Sequence, residues 1–104
     1  MMVCISEREF IEFVINYLMK AQIKLIGEFA YYSECLNYYL SGAMDFDIIN
    51  LYNFNEPIDM GMLGALGCAL IDFFADGELS GLPTEAQMER ATGFMDYYME
   101  ACGV

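Results

Sequence analysis

The sequence predicts a small all-α bundle of three to four helices, the first of them long, and three observations predict it. Apolar residues recur at close to 3.6 residues over most of the first forty positions and again near the C-terminus. Two Ser/Thr-x-x-Glu/Gln patterns, Ser6 with Glu9 and Thr84 with Gln87, have the form of helix-opening capping boxes. No segment alternates apolar and polar residues clearly enough to read as a strand. At 104 residues the chain has room for one domain with one core, taken here as residues 1–104.

The first element starts at Ser6. From there Phe10, Val14, Tyr17, Ala21, Leu25, Phe29, Tyr32, Leu36 and Tyr39 form one stripe, while Arg8, Glu12, Asn16, Lys20, Lys24, Glu34 and Asn37 track the opposite side. Both hold phase to about residue 40, where Ser41-Gly42 offers a stop. The even phase favours one continuous helix of about 50 Å at 1.5 Å per residue, with a break at Gly27 as the alternative. Residues 43–56 are ambiguous. Asp45 or Asp47 could cap a short helix ending at Leu51 or Phe54, and three asparagines make the rest loop-like.

Asn55 or Glu56 before Pro57 then predicts a helix with proline in its first turn, running to about Ala75 and closed by Asp76-Gly77. Gly61, Gly64 and Gly67 lie three apart along it and predict a close crossing by another helix. They are no phosphate loop, because neither a Lys-Ser/Thr ending nor a preceding strand is present. After a loop from Glu78 to Pro83, Thr84 and Gln87 open the last helix, which runs to about Ala101. Its predicted apolar stripe is Met88, Ala91, Met95, Tyr98 and Cys102, with Glu85, Glu89, Asp96 and Glu100 on the polar side.

Two compositional outliers bear on function. The hydrophobic share is 58%, against about 45–50% for soluble domains, and a chain this short cannot hide all of it. That excess predicts a partner groove or self-association, most simply a homodimer. The second outlier is charge. Sixteen acids face four cations, giving −12; residues 1–24 balance, so the thirteen acids of residues 25–104 meet Arg90 alone. Such a field repels nucleic acid and anionic membranes and attracts basic surfaces. The longest uncharged stretch, Met60 to Ile71, is twelve residues, short of the twenty or so a membrane span needs.

Catalytic chemistry finds little purchase. Histidine is absent, which excludes Cys–His, Ser–His–Asp and Glu-x-x-His di-iron arrangements. Cys4, Cys35, Cys68 and Cys102 form no C-x-x-C pair and read as reduced thiols; with no signal-peptide pattern, the expected compartment is the cytoplasm, that of the host cell for a phage-encoded protein. Asp72 to Pro83 glances at a calcium loop, but Phe74 and Pro83 stand where ligands are required. Carboxylate pairs such as Glu9 with Glu12 have spacings common to any acidic helix, so a magnesium-dependent hydrolase is a distant third reading. The expectation is a non-enzymatic protein without metal or cofactor.

The remaining constellation is an acidic face: Glu85, Glu89, Asp96 and Glu100 along the last helix, with Asp72, Asp76 and Glu78 where the preceding helix ends. Among the tyrosine doublets, Tyr31, Tyr38 and Tyr97 are the members expected to point outward as interface anchors. A rigid bundle presenting carboxylates with few cations resembles nucleic-acid backbone in charge. By analogy of charge and size alone, the expected function is to bind and block a basic nucleic-acid-binding protein, in the manner of phage inhibitors of restriction and CRISPR enzymes. The alternative is a homodimeric adaptor or structural module whose acidity serves solubility.

Overall fold

The Ser6 hydroxyl accepts from the Glu9 N–H at 3.1 Å and donates to the Glu9 carboxylate at 2.9 Å, and this expected cap starts α1, Glu7–Lys20. The computed structural model describes residues 1–27, 29, 31–42, 47–77 and 82–103, with backbone alone at 47 and 48. α1 turns Phe10, Ile11, Val14, Ile15, Tyr17 and Leu18 into the core.

The continuous helix expected through residue 40 does not form; the alternative of two helices does, with Gly27 inside the connection between them but not where the first helix ends. α1 stops at Lys20, and Gln22 takes a left-handed φ of 54°. The Gln22 N–H reaches the Met19 carbonyl at 3.1 Å and the Ile23 N–H reaches the Leu18 carbonyl at 3.0 Å. This paired closure satisfies the last carbonyls of the helix and reverses the chain, usually with glycine at the left-handed position. A glutamine there costs about 1–2 kcal/mol. The reversal offsets that cost: Ile23, Leu25 and Ile26 pack against the core, Phe29 is buried, and the Ile26 N–H donates to the Phe74 carbonyl at 3.1 Å. A rod of about 50 Å would also overrun a molecule whose longest dimension is 36 Å. The apolar stripe beyond residue 21 therefore does turn inward, by folding back rather than by continuing.

α2, Tyr32–Leu40, lies beside α1, with the Tyr32 hydroxyl donating to the Ile23 carbonyl at 2.9 Å. Burial, followed by a hydrogen bond to Glu7, pushes the Tyr39 phenol up to about 12. A 3₁₀ turn, Asp47–Leu51, follows, ending where the expected short helix would; Asp45 lies outside the described residues. Asn53 then accepts from the Asn55 N–H at 3.0 Å, the loop behaviour its neighbourhood of asparagines implies.

The start of the next helix is also corrected. Asn55 and Glu56 do not open it. Ile58–Asp59 (β2) instead pairs antiparallel with Met2–Val3 (β1), and the Met60 N–H donates to the Met1 carbonyl at 2.9 Å. The extended pairing buries Ile58, so α3 runs Met60–Asp76, capped by Asp59, whose Oδ1 accepts from Gly61 and Met62 at 2.9 and 3.3 Å. Gly77, at φ 82°, stops α3 as expected. α4, Glu85–Ala101, opens with a complete Thr84/Gln87 capping box.

The fold is thus an all-α bundle of four helices among the described residues, with one two-residue ladder. α3 and α4 form an antiparallel hairpin, and the expected close crossing occurs there, at two of the three glycines. A Cβ on Gly67 would overlap the buried Phe94 ring, and one on Gly64 would come within 2.5 Å of the Met95 sulfur; Gly61 meets only its own cap. The neighbours differ in how far they can yield. Gly67→Ala is expected to destabilise by about 1–2 kcal/mol, overpacking exceeding the helix propensity gained, while Gly64→Ala stays near neutral because a methionine end moves aside. Urea midpoints of the two variants check the ordering.

Candidate functional site

At 100° per residue, α4 divides lengthwise. Its inward side carries Gln87, Phe94 and Tyr98, all buried. Of the predicted inner stripe Tyr98 is buried as expected, but the stripe as a whole is rotated: Ala91, Met95 and Cys102 are half-buried, and Met88 is 52% exposed. Phe94 drives the rotation. It fills the space over Gly67 and meets Tyr17 edge-on at 5.4 Å and Phe13 at 6.0 Å. Gln87 tolerates burial because its amide donates to Asp76 at 2.8 Å while its carbonyl accepts from the Thr84 N–H at 2.9 Å.

The outward side carries the predicted carboxylates. Glu85, Glu89, Asp96 and Glu100 are all exposed and fall within a 60° arc of the wheel at 100° per residue. Together they cover about 22 Å of helix at 1.5 Å per residue. None of the ion pairs found among the described residues includes any of the four. Lys20, which lines a depression with Asp96 and Glu100, lays its ammonium over the Tyr97 ring at 4.9 Å.

Asp72 and Asp76 are not part of that open stripe. The hairpin brings the last turns of α3 beside the first turns of α4, and Arg90 there bonds Asp72 at 3.4 Å and Asp76 at 2.6 Å. Burial raises the Asp72 carboxyl above the ordinary range; Arg90 opposes this, and the neighbouring Asp76 charge adds to it. A carboxyl raised by folding holds its proton in the folded chain where the unfolded chain has lost it. Its contribution is therefore full below the ordinary value of 3.8 and is lost as pH rises through the raised one. Relative to Asp72→Asn, the natural chain is expected to lose stability between about pH 3 and pH 6. Urea midpoints at those two pH values check the sign; a rise would mean that Arg90 outweighs burial. Glu78 lies outside the described residues.

The three predicted tyrosine anchors separate as well. Tyr31 is 70% exposed at the start of α2. Tyr38 is half-buried, edge-on to Phe29 at 5.3 Å, and Tyr97 is half-buried, stacked on Phe13 at 4.9 Å. Of the three, Tyr31 is the exposed one.

Sequence reasoning missed a second band on α4. Met88, Thr92, Met95 and Met99 fall on one arc directly beside the carboxylates, with Met88, Thr92 and Met99 exposed. Glu85, Met88, Glu89 and Thr92 line a shallow depression of about 450 Å³ where the two bands meet. The signal was the methionine spacing of seven and four, hidden because methionine was read as core.

Among the described residues no three Asp, Glu or Cys side chains converge as a metal-ion donor set, and no helix is long and apolar enough to cross a membrane. Cys35 is buried, and desolvation pushes its thiol up to about 11, far from a reactive thiolate. The chain matches no protein-family model, no curated protein and no solved structure.

Proposed function

We propose that this protein is a non-enzymatic inhibitor that binds a basic nucleic-acid-binding protein through the outer face of α4 and occludes its nucleic-acid site. The observation that carries the reading is the stripe Glu85, Glu89, Asp96 and Glu100: four exposed carboxylates on one rigid helix, outside every ion pair found among the described residues, in a chain of net charge −12. A rigid helix fixes the carboxylates without the entropy cost of ordering a loop on binding. The carboxylates stand roughly 7.5 Å apart on average along the helix axis, against about 3.4 Å between charges along a DNA strand, so the imitation is one of charge more than of shape. Phage antagonists of restriction or CRISPR enzymes are the class of inhibitor that this size and charge suit.

The test is capture of partners from bacterial lysate on the tagged chain, with elution by a salt step. A nuclease or other basic nucleic-acid-binding protein in the high-salt fraction is the expected result, because contacts between exposed charges fade beyond a screening length of about 8 Å at physiological salt and much sooner at molar salt. A specific observation favours a second reading, a homodimeric adaptor. Leu82 is 86% exposed, Leu51 79% and Tyr31 70%, large apolar side chains that a second copy of the chain would cover while the charge serves solubility. Recovery of the chain alone, with self-association indifferent to salt, would replace the first reading with the second.

A further inference from the structure

The geometry points to a particular kind of docking element: α4 takes a basic amphipathic helix of its partner, its apolar side on the methionine band and its cations on the carboxylate stripe. This inference rests on the acidic-face reading and names the partner's chemistry. An acidic stripe alone would attract any polycation. Here the stripe is bordered along its whole length by Met88, Thr92, Met95 and Met99, and the two bands run parallel along the same four turns. A helix with one apolar and one basic side matches both bands at once; an extended basic segment matches only one.

The side chains suit that occupant. Methionine is flexible and polarisable, so an exposed methionine band conforms to varied apolar side chains. Met88 is 52% exposed and Met99 39%, so each has area left to lose to a partner. Met95, half-buried with its flexible end against Gly64, forms the inner edge of the band. The depression lined by Glu85, Met88, Glu89 and Thr92 is suited to a lysine or arginine: Met88 and Thr92 meet its aliphatic stem, and Glu85 and Glu89, one turn apart, take the cation. Arg90 does not compete for these carboxylates, being bonded to Asp72 and Asp76.

The probe is a fluorescein-labelled Leu/Lys peptide of about 18 residues, long enough as a helix to cover α4, with all leucines on one side. A scrambled isomer of identical composition keeps the charge and loses the apolar side. Fluorescence anisotropy against the full chain is expected to show the amphipathic peptide binding at least about tenfold more tightly than its isomer. Met88→Ser with Met99→Ser is expected to lower that affinity about tenfold and leave the isomer's unchanged; Glu85→Gln with Glu89→Gln is expected to weaken both peptides. All four positions are exposed, so circular dichroism of the variants should match the natural chain.

Equal affinities for the two peptides, no binding of either, or a methionine variant without loss would overturn the inference. The two proposals fail separately. Equal, salt-sensitive binding of both peptides removes the methionine band and leaves the acidic face. Clear preference for the amphipathic peptide, with no basic nucleic-acid-binding protein in the lysate capture, keeps the docking surface and removes the proposed target.

Discussion

Phe94→Ala is expected to cost about 3–5 kcal/mol, as much as a single truncation of a buried ring takes from a core. The ring is fully buried, meets Tyr17 and Phe13 edge-on, stacks on Tyr98 at 5.9 Å, and fills the space that Gly67 leaves open. Removing it opens a cavity at the crossing of α3 and α4, where neither helix backbone can close up without losing its other contacts. A domain of ordinary stability holds about 5–15 kcal/mol, so the variant should sit near its unfolding threshold at room temperature. Urea denaturation followed by circular dichroism reads the loss. The pair Gly67→Ala with Phe94→Leu adds a sharper check. The new methyl group occupies part of the space vacated by the ring, so the double variant should be more stable than the two single losses added together. Strict additivity would mean that Gly67 and Phe94 do not share the crossing.

Reversing Glu85, Glu89, Asp96 and Glu100 to Lys is expected to abolish capture of the basic partner while leaving the helical signal unchanged. Each reversal changes the charge by two, so the four take the net charge from −12 to −4. The side chains are exposed, and the ion pairs found among the described residues do not use them, so folding has little to lose. Binding has much to lose, because the variant sets four cations against a surface chosen for its own positive charge. Reversing the pairs separately, Glu85 with Glu89 and Asp96 with Glu100, shows which half of the stripe matters. Undiminished capture by the fourfold variant would remove this face from the function.

Signals that live within one turn of chain were legible in the sequence. Ser6 and Thr84 cap their helices as their spacing requires, and Gly77 stops α3 in the left-handed conformation. The break after α1 was not legible, because the turn is made at Gln22, a residue with no special preference for positive φ, while the glycine that drew attention, Gly27, has ordinary φ and open space around it. Periodicity failed there for a physical reason. A chain that reverses and packs against its own helix keeps burying every third or fourth residue. The ladder of β1 with β2 joins residues more than fifty positions apart over two residues each, too short to leave a pattern. In the candidate site, the outward carboxylates of α4 followed from helical spacing alone. The pairing of Arg90 with Asp72 and Asp76 depends on how the hairpin closes, which helical spacing alone does not give. Met88 was misplaced because composition marks methionine as core, and only the packing of Phe94 shows which way α4 is turned.

The cysteines, finally, give the molecule a built-in clock. Cys4 is exposed, whereas Cys35 is sealed in the core between the first two helices and the rest of the fold, its thiol held up at about 11. An alkylating reagent added to the native protein should therefore mark Cys4 first, and should reach Cys35 only when α2 lifts away. Peptide mapping separates these two marks from those on the half-buried Cys68 and Cys102, and the interval between them, followed across temperature or denaturant, times the opening of one helix against the global unfolding of the chain.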